Sequence, residues 1–178
     1  FRVVVTVEDT AEVGSWSSMN SGTSTTLNSI WGTSENDVFV VGDQGVILHY
    51  DGTAWSSMSS GTSTSLTGIW GTSSSNVYAS GWGIVLRYNG TSWSTMMTFG
   101  CEIKEIWGTS STNLWASGGG TDIRHFDGTT WLTMPTGSAV DWPEYTWGSG
   151  SNNVLVVGSR GTITRYNGTS WSVQATDA

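Results

Sequence analysis

Charge is scarce in this chain: charged side chains make up 11% of its 178 residues, against about 25% in an average soluble domain. One lysine and five arginines, spread along a chain of net charge −8, form no basic footprint of the kind nucleic-acid binding needs. Nucleic acid is therefore not expected as a partner. The single cysteine, Cys101, excludes a disulfide within the chain and is expected as a small core residue. No apolar run approaches the roughly 20 residues that cross a bilayer, so no transmembrane segment is expected. Alanine, leucine, glutamate and lysine are too sparse for a helical protein.

In their place stand 28 serines, 26 threonines, 24 glycines and 12 tryptophans. So many large rings argue against disorder, and so many small polar residues imply short turns. An acidic, hydroxyl-rich, lysine-poor composition leads to an expectation of an extracellular or cell-surface location. The sequence begins at Phe1 rather than Met, so any signal peptide is expected to be gone already.

Internal repetition dominates the chain. Trp31-Gly-Thr-Ser, Trp70-Gly-Thr-Ser, Trp107-Gly-Thr-Ser and Trp147-Gly-Ser-Gly open four segments, spaced by 39, 37 and 40 residues. Eight residues after each Trp comes a large apolar residue (Phe39, Tyr78, Trp115, Leu155), then a glycine (Gly42, Gly81, Gly118, Gly158). An aromatic follows (Tyr50, Tyr88, Phe126, Tyr166), and Asp/Asn-Gly-Thr-x-Trp closes the repeat at Trp55, Trp93, Trp131 and Trp171.

Within a repeat, β-forming residues fill four short stretches, Leu27 to Gly32, Val38 to Gly42, Val46 to Tyr50 and Trp55 to Met58. Gly, Asn, Asp and Ser clusters separate them, as hairpins require. A four-strand meander every 40 or so residues predicts an all-β chain, a β-propeller of four-stranded antiparallel blades. One such blade cannot cover both of its faces, so blades must stack, with the opening and closing tryptophans packed between them as core. The expected organisation is a leader over residues 1–13 and a propeller over 14–178, with repeats at about 27–58, 66–96, 103–134 and 143–174.

The hairpin Tyr50-Asp51-Gly52-Thr53-Ala54-Trp55 and its copies resemble the Asp-box (BNR) hairpin of sialidases, photosystem assembly-factor propellers and several secreted propellers. The whole repeat resembles those of secreted bacterial propeller proteins. The match lacks one spacer residue and has Asn in two copies. The resemblance implies a structural turn role for Asp51, Asn89, Asp127 and Asn167, away from any ligand. It does not carry activity with it.

Ahead of the first repeat, Trp16-Ser-Ser-Met19 reads as a fifth copy of the fourth strand, and Arg2 to Glu8 as a Val-rich strand. These two N-terminal strands could begin a further blade, sit outside the ring, or pair with another subunit through residues 2–8. An unpaired strand edge is adhesive, so a homo-oligomer or filament built from that strand is one expectation.

Catalysis is not expected. A glycosidase needs two facing carboxylates and sialidases use an arginine cluster, which the scattered Arg87, Arg124, Arg160 and Arg165 do not suggest. His49 and His125 stand 76 residues apart, with no metal-ligand spacing and no Ser-His-Asp set. No cofactor or metal is expected. His49, Arg87, His125 and Arg165 share one repeat position, which reads either as local pairing with the adjacent turn or as an anion- or pH-sensitive column. Departures from the repeat are the better candidates for ligand or partner contact: Trp82, Glu102, Lys104, Trp142, Glu144 and Tyr145. Aromatics beside acids suit protein subunits or glycans. Asn89 and Asn167 begin Asn-Gly-Thr sequons and are glycosylation candidates. The expectation is a non-catalytic structural or interaction module, with a lectin-like propeller as the alternative and a sialidase-like hydrolase behind both.

Overall fold

The computed structural model describes residues 17–136 and 142–175. The expected strand over residues 2–8, Trp16 and Asp141 lie outside the described residues. Within them the regular secondary structure is strand, apart from one 3-10 turn, Asp43–Gly45.

The four repeats become four antiparallel units. The first comprises β1 (Leu27–Ser34), β2 (Asp37–Gly42), β3 (Ile47–Tyr50) and β4 (Trp55–Met58), hydrogen-bonded in that order. The fourth repeats this with β11 (Pro143–Gly150), β12 (Asn153–Gly158), β13 (Ile163–Tyr166) and β14 (Trp171–Ala175). Between them lie β5 (Leu66–Ser73), β6 (Asn76–Tyr88), β7 (Trp93–Ser110), β8 (Asn113–Gly118), β9 (Asp122–Phe126) and β10 (Trp131–Pro135), in one continuous six-stranded sheet. Two strands there do double duty. The Arg87 Nε bonds the Asn76 Oδ1 at 3.0 Å, although eleven residues of straight strand would hold them about 36 Å apart. β6 therefore folds back on itself at Trp82-Gly83, where Gly83 has φ +70. β7 pairs with β6 through its first half and with β8 through its second, so it closes the second unit and opens the third.

The described part of the second leading strand, Ser17–Met19, forms no strand. Each true fourth strand is paired through a hairpin to a third strand ending in Tyr or Phe.

The first strands of successive units pack side by side, β1 on β5, β5 on β7 and β7 on β11, and the core lies in the three joints between units. Phe39, Val41 and Ile47 of the first unit meet Leu66, Ile69, Val77 and Ala79 of the second. Tyr78 and Val85 meet Ile106 and Leu114, and Trp115 and Ile123 meet Val154 and Val156. The opening tryptophan of each unit lies over the Trp-Gly glycine of the next. A Cβ built on Gly71, Gly108 or Gly148 would stand 2.7, 3.0 or 2.6 Å from the Cη2 of Trp31, Trp70 or Trp107. Only glycine lets the indole that close. The expectation that the opening and closing tryptophans are core fails at Trp147, which is 58% exposed, because among the described residues no further unit lies against it.

Candidate functional site

The four turn residues sit in one geometry. Oδ1 of Asp51, Asn89, Asp127 and Asn167 each accepts two backbone N–H groups, from the residues two and three ahead, at 2.8–2.9 Å. Behind each turn the flanking aromatics pair across the hairpin, from Tyr50–Trp55 to Tyr166–Trp171, at 5.2–5.4 Å between centroids. Asn89 and Asn167 are exposed, but their side-chain oxygens serve the turn.

The N–H donors hold the Asp51 and Asp127 carboxyls below their ordinary value of 3.8, through Ala54 then Thr53 and through Thr130 then Thr129. A depressed folded pKa adds stability above the unfolded value, lost as pH falls through the folded one. Asn in the other two turns makes the same bonds without titrating. The double variant Asp51→Asn/Asp127→Asn lacks that pH-linked contribution, so it is expected to be no more stable than the parent at pH 7 and to lose less stability below about pH 4, as melting profiles from pH 7 to 3 would register.

The His/Arg column makes one repeated contact, and its partner is not the adjacent turn. His49 Nε2 lies 2.7 Å from Asp37 Oδ1, and His125 Nε2 lies 2.6 Å from Asn113 Oδ1. Arg87 and Arg165 donate through Nε to Asn76 and Asn153 at 3.0 and 2.7 Å. The partner opens the second strand. The turn oxygen two residues ahead is engaged by its own backbone, which leaves this cross-strand residue within reach. Three of the four column residues also cover the large side chain opposite: His49 lies 4.3 Å from the Phe39 ring, His125 stacks at 4.1 Å on Trp115, and Arg87 sits over Tyr78. Burial pushes the His125 imidazole below its ordinary value.

Of the six contact candidates, Trp82, Trp142 and Tyr145 are exposed. Trp82 stands opposite Glu102 in the β6–β7 register. Lys104 donates to Glu144 Oε1 at 2.9 Å, and that carboxylate holds the ammonium above the usual lysine range. Glu102, Lys104 and Tyr145 share a cleft of about 530 Å³ where the first strands of all four units converge. Cys101 is half-buried beside it in β7.

Three cleft residues carried no sequence expectation: Asn28, Asp43 and Glu105. Asn28 Nδ2 donates to Asp43 Oδ1 and to the Leu66 carbonyl. Glu105 Oε2 accepts the Thr146 N–H at 2.5 Å, while burial raises its carboxyl. The signal was available: the position two before each opening Trp holds Ser29, Gly68, Glu105 and Tyr145, and a carboxylate there breaks the column. Among the described residues no three His, Cys, Asp or Glu side chains gather as a metal site.

The other unassigned surface is apolar. Trp147, Val157 and Ile163 lie exposed on the last unit, and Leu27 and Ile30 on the first. Leu27 and Ile30 join Met19, Val40, Leu48 and Trp55 around a groove of about 390 Å³.

No family model matches this sequence, and no curated protein is similar to it in sequence. Solved structures are similar in fold. YCF48 bound to D1 peptide matches 85% of this chain at 15% identity with a TM-score of 0.64. YCF48 from Cyanidioschyzon merolae matches 86% at 15% identity and 0.66. The extracellular domain of the hybrid two-component system BT3049 from B. thetaiotaomicron matches 86% at 12% identity and 0.65. This chain covers 55% and 57% of the two YCF48 chains and 25% of the BT3049 chain. The likeness bears on the propeller repeat and not on the Asp-box resemblance: four antiparallel units joined face to face make this an all-β, propeller-like repeat protein.

Proposed function

We propose that this chain is a non-catalytic interaction module, working outside the cell or at its surface, whose partners are polypeptides. One observation carries the reading. Asp43, Lys104 and Glu105 of the cleft and all four side chains of the column are engaged in hydrogen bonds within the fold, whereas Leu27 and Ile30 on the first unit and Trp147, Val157 and Ile163 on the last leave apolar side chains exposed. Clustered exposed rings and aliphatic side chains mark contact surfaces rather than reaction sites. That YCF48 was solved with a bound D1 peptide supports a polypeptide partner, and the BT3049 extracellular domain supports the location. No helix among the described residues is long and apolar enough to cross a membrane.

A photo-crosslinking residue at Ile163, which is exposed, tests this in the cells that make the protein. Adducts are expected on peptides from a defined protein. Adducts on glycan, or none at all, would count against it.

Glycan binding is the second reading, favoured by the exposed Trp82 opposite Glu102 and the exposed Trp142 and Tyr145 near Glu144. It requires a glycan-array signal that Trp82→Ala or Trp142→Ala removes.

A further inference from the structure

We propose that the cleft between the first strands is a binding site for a basic side chain, a lysine or arginine carried by a polypeptide partner. This rests on the reading of the chain as a module for polypeptides and assigns one contact of that partner.

Two repeat positions build the cleft. The residues two before the opening tryptophans, Ser29, Gly68, Glu105 and Tyr145, all line it, so every unit supplies a wall. The residues just before those are engaged within the fold. Asn28 donates to Asp43 and to the Leu66 carbonyl, Thr67 to the Ile103 carbonyl at 2.8 Å, and Lys104 to Glu144. Among the described residues Lys104 is the one basic side chain lining the cleft, and Glu144 already neutralises it.

Negative charge is left over. Asp43, Glu102 and Glu105 line this space of about 530 Å³, and none of them forms an ion pair among the described residues. Glu105 accepts a single backbone N–H, from Thr146. Burial raises its carboxyl, as befits a carboxylate short of opposite charge.

A hydroxyl points the same way. At Gly68 the column has no side chain, and Ser80 Oγ stands 2.6 Å from where its Cβ would be. The oxygen therefore aims where Ser29, Glu105 and Tyr145 aim. Ser80 is fully buried and its Oγ has no hydrogen-bond partner. The equivalent Ser117 in the third unit spends its hydroxyl on the Glu144 carbonyl, at 3.1 Å. Ser80 keeps its hydroxyl unspent.

The spread of the charge selects the cation. Among the described residues no three acidic side chains gather as a metal site, so a compact ion would lack ligands. An ammonium or guanidinium on a flexible stem can reach oxygens that lie apart. Tyr145, 58% exposed, offers its ring to the stem or to the charge. The net charge of −8 favours the approach of a basic segment.

Titration of the ¹⁵N-labelled chain with N-acetyl-lysine methylamide and N-acetyl-arginine methylamide tests the site, with N-acetyl-norleucine methylamide as the uncharged control. At least one basic probe is expected to shift the Ser80, Glu105 and Tyr145 amides to saturation, and the norleucine probe to leave them in place. Glu105→Gln keeps an acceptor for the Thr146 N–H and removes the charge. It is expected to weaken binding about tenfold or more. Glu102→Gln should do the same, and it keeps the test decisive if Glu105→Gln melts too low to assay. Glu35→Gln makes the same charge loss at an exposed turn and should alter binding by no more than about twofold, as a screened distant charge would. Saturation by neither basic probe, an equal response to norleucine, or equal weakening by Glu35→Gln overturns the proposal. If the probes fail while the Ile163 crosslinker captures a polypeptide, the cleft assignment falls and the interaction-module reading stands. If the probes bind while no polypeptide is captured, the cation site stands and its assignment to a polypeptide falls.

Discussion

Trp115→Ala is expected to destabilise the fold by about 3–5 kcal/mol, the range for truncating a large buried aromatic, and to lower the melting temperature by roughly 10 °C. Trp115 is the largest fully buried side chain in the structure. Its ring bridges two units: it stacks on His125 in its own, lies 5.2 Å from Tyr166 in the next, and meets Trp171 edge-on at 5.9 Å. Deleting it hollows out the joint between the third and fourth units, where Ile123, Val154 and Val156 are fully buried. Nearest-neighbour contacts dominate such a stack, so amide exchange should rise first in β11–β14. The His125 imidazole provides a second readout, because burial is what lowers its pKa. Its titration should shift up in Trp115→Ala. Trp115→Phe is expected to cost less, since it keeps a ring in a column that elsewhere holds Phe39 and Tyr78, and removes an indole N–H that finds no acceptor. A loss below about 1 kcal/mol for Trp115→Ala would contradict the packing of this joint.

The tryptophans show how far the sequence could be read. Strand positions followed from local chemistry: β-branched and aromatic runs between Asx-Gly turns leave the backbone little else to do. Burial did not follow, because Trp31 and Trp147 sit in the same local pattern and differ only in whether another unit lies alongside. The partner of the His/Arg column was missed for a related reason. Along the chain Asp51 is two residues from His49, but its Oδ1 is held by its own turn, and the sheet register brings Asp37 beside the imidazole. The cleft was the least legible feature. Asn28 and Asp43 stand fifteen residues apart in the first unit and Glu105 comes from the third, and nothing in a stretch of sequence joins them. Only a comparison down the repeat column, where Glu105 replaces small or aromatic residues, points there. Trp82-Gly83 was legible as a departure from the repeat. The consequence, a tight reversal in place of the Asp43–Gly45 turn, needed the backbone.

Gly118→Ala is expected to be among the most damaging single-methyl additions this fold can receive, at about 3 kcal/mol or more, the upper end of what overpacking costs. A Cβ at Gly118 would stand 2.2 Å from the Glu102 carbonyl oxygen, 2.7 Å from the Ile103 Cα and 2.8 Å from the Lys104 nitrogen. All three are main-chain atoms, so no side chain can swing aside. The same close passage recurs at Gly42 against Thr26 and at Gly81 against Ser65, at 2.2 and 2.3 Å. In each of the first three units the chain enters its first strand hard against the end of the second, and the register shifts there by one residue. Separating the strands would also strain the Gly119 N–H bond to the Glu102 carbonyl, 2.7 Å long. Gly100→Ala is the matched control. It makes the same chemical change in the same strand pair's approach, but nothing lies within 4 Å of its Cβ and its φ is not positive. Both variants stiffen the unfolded chain equally, so their difference isolates the clash. Gly100→Ala should melt at or slightly above the parent, by up to about 1 kcal/mol, and Gly118→Ala far below it. Equal melting temperatures for the two would mean that the strands do not pass this closely, and the bulged entry into each unit would have to be redrawn.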